Sequence, residues 1–192
     1  MIIGEKVCMN DKFVDELRKL PNEINDLPNI TKKIISDLNS KEFPIPIVKI
    51  MRELDFYVGM QELDDNLSGY IVIDKNLEKK FHKDKLVCVN SKDTLGHQRF
   101  TIAHELAHYI FDFNPESSEV FYSAYMTDHA DEIDEKRANK FAANLLMPKE
   151  EFEKMYNKFC KENESDLIEK LLNYFEVSKR AVELRILELG LN

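Results

Sequence analysis

Two histidines and a glutamate stand close together near the middle of the chain, in the run His104-Glu105-Leu106-Ala107-His108. Residues four positions apart stack on one face of a helix, so both imidazoles can bind the same ion. Zinc accepts neutral imidazole nitrogen, and catalytic zinc sites use three protein ligands and leave one position open. On a helix Glu105 is rotated by about 100° from His104, so its carboxylate can reach a water instead of the ion. The H-E-x-x-H spacing therefore predicts a zinc site with Glu105 as general base.

An apolar stripe around this motif indicates that it lies on a helix, predicted from about residues 94–97 to residue 112. His104 and His108 follow one edge of the stripe, which places them where a core-facing helix meets a cleft. The alternative is a chance occurrence of the motif on a solvent-facing helix. The stripe consists of Ala103, Leu106, Ala107, Ile110 and Phe111.

A second helix, predicted over residues 131–147, offers a third ligand. Glu135 projects onto the apolar face of this helix, where a carboxylate is costly unless it is paired or bound to a metal. Asn139 borders the same face and could orient a ligand by a hydrogen bond. The alternative for Glu135 is a solvated acid in the first helical turn, which the helix dipole favours. The apolar face consists of Ala138, Phe141, Ala142, Leu145 and Leu146.

The elements that must position these residues indicate an α+β fold. Three short β-prone runs at 56–58, 70–73 and 86–89 predict a small three-stranded sheet before the motif helix. The segment 113–129 has no clear periodicity and is predicted to be a loop that borders the site. The sheet would pack on a mainly helical domain.

Helical periodicity extends to both ends of the chain. Apolar spacing predicts short helices near residues 13–17, 30–38 and from Pro46 onwards. After the metal motifs, further helices are predicted at 149–160, 165–175 and 178–189, the last ended by Gly190.

This pattern divides the chain into three predicted parts. Residues 1–42 form an N-terminal helical extension, residues 43–160 contain the metal motifs, and residues 161–192 form a C-terminal helical subdomain. The C-terminal part is similar to a helix-turn-helix.

Composition excludes several classes of protein. With 27 Lys and Arg against 36 Asp and Glu, the formal charge is −9, which disfavours binding to nucleic acid phosphates. Cys8, Cys88 and Cys160 are far apart, so neither a disulfide framework nor a cysteine metal cluster is predicted. No stretch approaches the roughly 20 apolar residues that span a bilayer, and residues 1–20 lack the apolar core of a signal peptide. We therefore expect a cytoplasmic protein without a membrane partner.

Two separated motifs resemble the ImmA/IrrE family of metallo-endopeptidases. The first is the run R-F-T-I-A-H-E-L-A-H-Y at 99–109, and the second is E-x-x-A-N-x-F-A-A-x-L-L-M-P at 135–148. The runs at 69–71 and 87–90 also fit the small sheet of that family, so the resemblance covers about residues 44–148, with a weaker match at 175–190. One departure is Ala107, where many members have Gly, and a methyl group there is tolerable if the neighbouring strand leaves room.

The resemblance implies zinc held by His104, His108 and Glu135, with Glu105 catalytic. Mn²⁺ and Fe²⁺ suit the same ligands. It also implies a protein substrate, namely a helix-turn-helix transcriptional repressor whose cleavage relieves repression of mobile-element or stress genes.

The reaction also needs a group that stabilises the oxyanion of the peptide carbonyl. The candidates lie in the segment that precedes the second ligand helix, and they are Tyr122, Tyr125 and His129.

Two other functions remain open. A metal-stabilised anti-repressor could bind its repressor without proteolysis. A DNA-binding regulator could use the helices at 167–189, with Ser178 as N-cap, although Glu183, Glu188 and the lack of base-reading side chains disfavour it. The basic side chains that could meet phosphates are Lys179, Arg180 and Arg185.

Overall fold

A computed structural model describes residues 10–37, 43–126, 133–162 and 166–191 of the chain. These residues form an α+β fold in which helices pack against a sheet. Within the described ranges, no helix has both the length and the apolar character needed to cross a bilayer.

The predicted helices and strands are present, and some are longer than the periodicity indicated. The helices are α1 (Asp11–Arg18), α2 (Leu27–Asp37), α3 (Ile47–Glu53), α4 (Glu78–Phe81), α5 (Leu95–Phe111), α6 (Ile133–Leu146), α7 (Lys149–Glu162), α8 (Leu167–Phe175) and α9 (Lys179–Leu189). The strands are β1 (Phe56–Gln61), β2 (Leu67–Ile73), β3 (Lys85–Asn90) and β4 (Phe121–Met126). A short 3-10 turn at Lys75–Leu77 leads into α4.

In the described residues the sheet has four strands in the order β1-β3-β2-β4, so the prediction of three strands was wrong. β1 is parallel to β3, and both of the other pairs are antiparallel. The additional strand, β4, lies in the segment predicted to be a loop. It pairs with β2, where Ser123 lies opposite Ile71 and Tyr122 opposite Val72. Aromatic residues on both faces of β4 conceal the alternation by which a strand is recognised in sequence.

The inner face of the sheet lies directly against α5. Ile71 and Val87 on this face are fully buried. A Cβ atom at Gly69 would lie 2.6 Å from Cys88 O and 2.6 Å from Thr101 Cγ2, so only glycine fits between β3 and α5 at this point. The glycine therefore allows the motif helix to lie close to the sheet.

The hydrophobic core is continuous from the N-terminal to the C-terminal helices. Val14 of α1, Ile30 of α2 and Val182 of α9 belong to the same buried cluster as Leu106 of α5. The three-part division of the chain remains a prediction.

The C-terminal helices are connected by a tight turn. Glu176 adopts a left-handed conformation with φ of 49°, and Ser178 caps α9 by accepting a hydrogen bond from the Ala181 N–H, which confirms the predicted N-cap. Arg185 does not face solvent. It is 1% exposed and donates hydrogen bonds to Met147 O and Asn144 Oδ1, so the prediction that it could meet a phosphate was wrong.

Candidate metal centre

Helix α5 places both motif histidines on one buried face. Thr94 begins the helix as its N-cap, with its hydroxyl accepting from the His97 N–H. Ten residues later, His104 is fully buried, and His108 is 4% exposed. Their Nε2 atoms are 3.0 Å apart. The helical spacing therefore brings the two imidazoles to one point, as predicted.

Helix α6 brings Glu135 to the same point. One carboxylate oxygen is 3.1 Å from His104 Nε2, and the other is 3.3 Å from His108 Nε2. One potential ligand atom from each of the three residues lies within 4.8 Å of the other two. Glu135 is only 8% exposed, so the alternative of a solvated acid in the first turn was wrong.

The outer nitrogens of both histidines are held by acceptors. His104 Nδ1 donates to Asn139 Oδ1 at 3.1 Å, and His108 Nδ1 donates to Asp112 Oδ2 at 2.6 Å. In a neutral imidazole, a proton on Nδ1 leaves a lone pair on Nε2, which here is directed at the other imidazole and at Glu135. Such hydrogen bonds are the usual way in which a protein orients metal-binding histidines.

This arrangement fits a divalent cation. Two nitrogen lone pairs and a carboxylate repel one another unless positive charge lies between them. Glu135 Oε2 is buried and has no hydrogen-bond donor within the described part of the chain, although His104 Nε2 is near it. Burial raises the pKa of Glu135, but the hydrogen bonds and positive charge that the two imidazoles offer when protonated outweigh that effect and lower it to about 2, so the carboxylate is ionised. Two imidazole nitrogens and one carboxylate are the donor set of a known class of catalytic zinc sites.

Glu105 is fully buried beside the three candidate ligands. Among the residues that the structure describes, neither of its carboxylate oxygens has a hydrogen-bond partner. Burial raises the pKa of Glu105 to about 8, against the opposing effects of His108 and the main chain of Tyr125. A carboxyl group with a pKa near neutrality can both accept and release a proton.

A family comparison agrees with this geometry. The family model Peptidase_M78, described as the IrrE N-terminal-like domain, matches residues 68–187. The chain belongs to the Peptidase_M78 family. This result confirms the resemblance noted in the sequence, and the match contains both ligand helices.

Structural comparison supports the fold of this Peptidase_M78 chain. A solved structure described as a Mycobacterium tuberculosis transcriptional regulator aligns with a TM-score of 0.57 and 20% identity, over 94% of this chain and 51% of that one. At this identity the likeness concerns the fold alone, and the chain spans about half the length of that protein. Among curated protein sequences, none matches significantly.

The predicted oxyanion groups of the Peptidase_M78 site have different positions. The ring of Tyr125 lies against His104, with 4.1 Å between the ring centroids. Tyr122 is not brought to the site, because it lies on the outer face of the sheet beside Tyr70 and is 58% exposed. His129 lies outside the described residues.

Asp112 is the residue at this site that sequence reasoning missed. It follows His108 by four positions, and the two side chains therefore meet at the end of α5. A carboxylate at that spacing from a metal-binding histidine is a signal that could have identified it. Ala107 is 1% exposed and belongs to the hydrophobic core.

Proposed function

We propose that this chain is a zinc-dependent endopeptidase. The observation behind this proposal is the convergence of His104, His108 and Glu135 on one point beside the buried carboxyl of Glu105. Membership of the Peptidase_M78 family supports it. Mn²⁺ and Fe²⁺ suit the same nitrogen and oxygen donors, so zinc is the part of the proposal that metal analysis tests directly.

When bound, a divalent cation supplies a Lewis acid that activates water and polarises the peptide carbonyl. Glu105 takes the proton from the attacking water and transfers it to the departing amine. Burial favours protonation of Glu105, which suits a group that must hold the proton between these two steps. Asn139 and Asp112 keep the histidines in the tautomer that leaves each Nε2 free to bind metal.

Tyr125 is our candidate for stabilising the oxyanion. Burial raises the pKa of the Tyr125 hydroxyl, so it keeps its proton and can donate a hydrogen bond. Its ring packs on His104, which places the side chain at the site. His129 remains a second candidate for this role.

The proposed substrate is a helix-turn-helix transcriptional repressor, cleaved to derepress mobile-element or stress genes. Membership of the Peptidase_M78 family supports a protein partner. Such a substrate implies that the enzyme acts in the cytoplasm. Direct DNA binding is not part of the proposal, because the chain is acidic and Arg185 is buried.

The burial of the site favours a second candidate function. His104 and Glu105 are both 0% exposed, so water and a peptide reach Glu105 only after part of the surrounding structure moves. A closed site of this kind also suits a metal-stabilised anti-repressor that binds its repressor without cleaving it.

The variant Glu105→Gln separates the two functions. The chain is incubated with a panel of helix-turn-helix repressors, with and without chelator, and fragments are identified by mass spectrometry. We expect Glu105→Gln to retain about one zinc per chain and to lose about 10²–10⁴-fold in cleavage rate, because a general base contributes that much. Glu169→Gln, at an exposed position of α8, is the matched control and should cleave normally.

Undiminished cleavage by Glu105→Gln would remove Glu105 from the mechanism. Chelator-insensitive cleavage would contradict a metal enzyme. Repressor binding without any fragments from the wild-type chain would favour the anti-repressor.

A further inference from the structure

Arg137 lies on α6 two residues after the candidate ligand Glu135, and its side chain is 17% exposed. Its Nη2 atom donates to Asp134 Oδ1 at 2.8 Å and also to Asp112 Oδ1, at the end of α5. The guanidinium stacks over the ring of Phe111, 5.3 Å from the centroid. Arg137 therefore joins the start of one ligand helix to the end of the other.

The contact with Asp112 leads directly to a histidine ligand. Asp112 uses Oδ1 for Arg137 and Oδ2 for His108 Nδ1, at 2.6 Å. A continuous hydrogen-bonded chain thus runs from His108 through Asp112 to Arg137. Two residues further along α6, Asn139 accepts a hydrogen bond from His104. The Arg137–Asp112 and Asn139–His104 hydrogen bonds therefore both connect the beginning of α6 to α5.

The location of Glu135 makes such a connection important. Glu135 is the third residue of α6, and the first turn of a helix has N–H groups without partners inside the helix. First turns open more readily than helix interiors. The same region contains the carboxylates of Asp112, Asp134 and Glu135, whose mutual repulsion a cation must offset. Arg137 supplies that cation and contacts two of the three carboxylates.

We propose that Arg137 is a positioning residue that holds the first turn of α6 against α5, so that Glu135 meets the two histidines. This inference rests on the metal site of the proposed function. A partly exposed ion pair contributes little to stability, and a merely structural role would change nothing else. A positioning role predicts a specific loss of metal affinity.

The test compares Arg137→Met with Arg137→Lys and with Lys154→Met. Lys154 is a control because it forms an exposed ion pair with Glu151 on α7. Zn²⁺ affinity is measured by competition with a chromophoric chelator, and ligand geometry by the visible spectrum of the Co²⁺-loaded protein. The melting temperature of each metal-free chain shows whether the fold is intact.

We expect Arg137→Met to weaken Zn²⁺ binding about tenfold, the lower end of the effect of residues that support metal ligands. Its Co²⁺ spectrum should change, while the metal-free melting temperature stays close to that of the wild type. Arg137→Lys should restore the spectrum and most of the affinity, since a single nitrogen of Arg137 makes both contacts. Lys154→Met should bind as the wild type does.

Wild-type Zn²⁺ affinity and an unchanged Co²⁺ spectrum in Arg137→Met would overturn the positioning role and leave the proposed peptidase intact. A loss of affinity that matches a loss of metal-free stability would overturn it as well, because the role would then be structural. A wild-type chain that binds neither ion would overturn both this inference and the proposed function.

Discussion

Glu188 of α9 lies between two basic side chains. Arg185 Nη1 donates to it at 2.8 Å, and Lys140 of α6 contacts the same oxygen. Burial raises the pKa of Glu188, but the hydrogen bond from Lys140 and the charge of Arg185 outweigh that effect and lower it. Arg185 is buried, and Glu188 is the carboxylate that compensates its charge, so the three residues connect the last helix to the ligand helix α6.

The lowered pKa gives a pH dependence of stability with a definite sign. A group whose folded pKa lies below its unfolded value, about 4.3 for Glu, stabilises the fold above that value, and the contribution disappears as pH falls through the folded pKa. We expect Glu188→Gln to be less stable than the wild type by about 1 kcal/mol at pH 7. The difference should decrease below about pH 4.3.

Urea unfolding at a series of pH values between neutrality and the acid range measures this difference. Glu183→Gln is the control, because Glu183 is on the same helix, is 53% exposed and is paired with Lys179 at 3.7 Å. A constant difference between Glu188→Gln and the wild type across the whole pH range would contradict the ionic origin of the effect.

Single residues of the site were predictable to different degrees. His104, His108 and Glu105 follow from helical spacing alone, since a helix fixes which side chains share a face. Glu135 and the two histidines lie on different helices. The sequence alone therefore left the role of Glu135 open, and the fold brings its carboxylate beside both imidazoles. Arg185 looked solvent-exposed, because nothing in its neighbourhood along the chain reveals acceptors such as Met147 O.

Helix α1 contacts the C-terminal end of the motif helix α5. Arg18 donates to Ile110 O at 3.2 Å and to Tyr109 O at 2.8 Å. These carbonyls belong to the last turn of α5, whose C=O groups lack partners inside the helix. The guanidinium also lies 5.1 Å from the ring centroid of Tyr109. A helix outside the matched family region therefore caps the helix that bears both histidines.

Replacing Arg18 tests this cap. Arg18→Met keeps much of the apolar contact but leaves two carbonyls without a charged donor, so we expect a loss of about 1–3 kcal/mol. For a chain of this size that loss corresponds to a decrease of roughly 2–12 °C in melting temperature. Thermal unfolding followed by circular dichroism measures it. Lys12→Met, at an exposed position of the same helix, should melt like the wild type, and an equal decrease there would exclude the cap as the cause.

Strand β4 shows why elements are harder to predict than motifs. Phe121 packs inward near Phe113, and Tyr122 packs outward near Tyr70, so apolar residues occupy both faces. A two-residue period of polar and apolar side chains is absent, and only pairing with β2 reveals the strand. That pairing depends on residues about fifty positions apart, which no local pattern reports.

For the whole molecule, the candidate metal centre connects two helices that are separate in sequence. α5 and α6 are joined by β4 and by a segment outside the described residues, yet their side chains share one site. An ion bound there adds its binding free energy to the stability of the folded chain, because the unfolded chain cannot assemble the same ligands. Metal removal should therefore affect the whole fold and not the site alone.

The loss of stability on metal removal can be given an expected size. At free Zn²⁺ about 1,000-fold above its dissociation constant, a single site stabilises the fold by about 4 kcal/mol. For a chain of this length each kcal/mol shifts the melting temperature by about 2–4 °C, so chelation should lower it by roughly 8–16 °C. Glu135→Gln removes a ligand charge at nearly constant volume, and its melting temperature should respond far less to chelator. An equal response in that variant would place the stabilising ion elsewhere, since a site without Glu135 has lost the residue that joins α6 to the two histidines of α5.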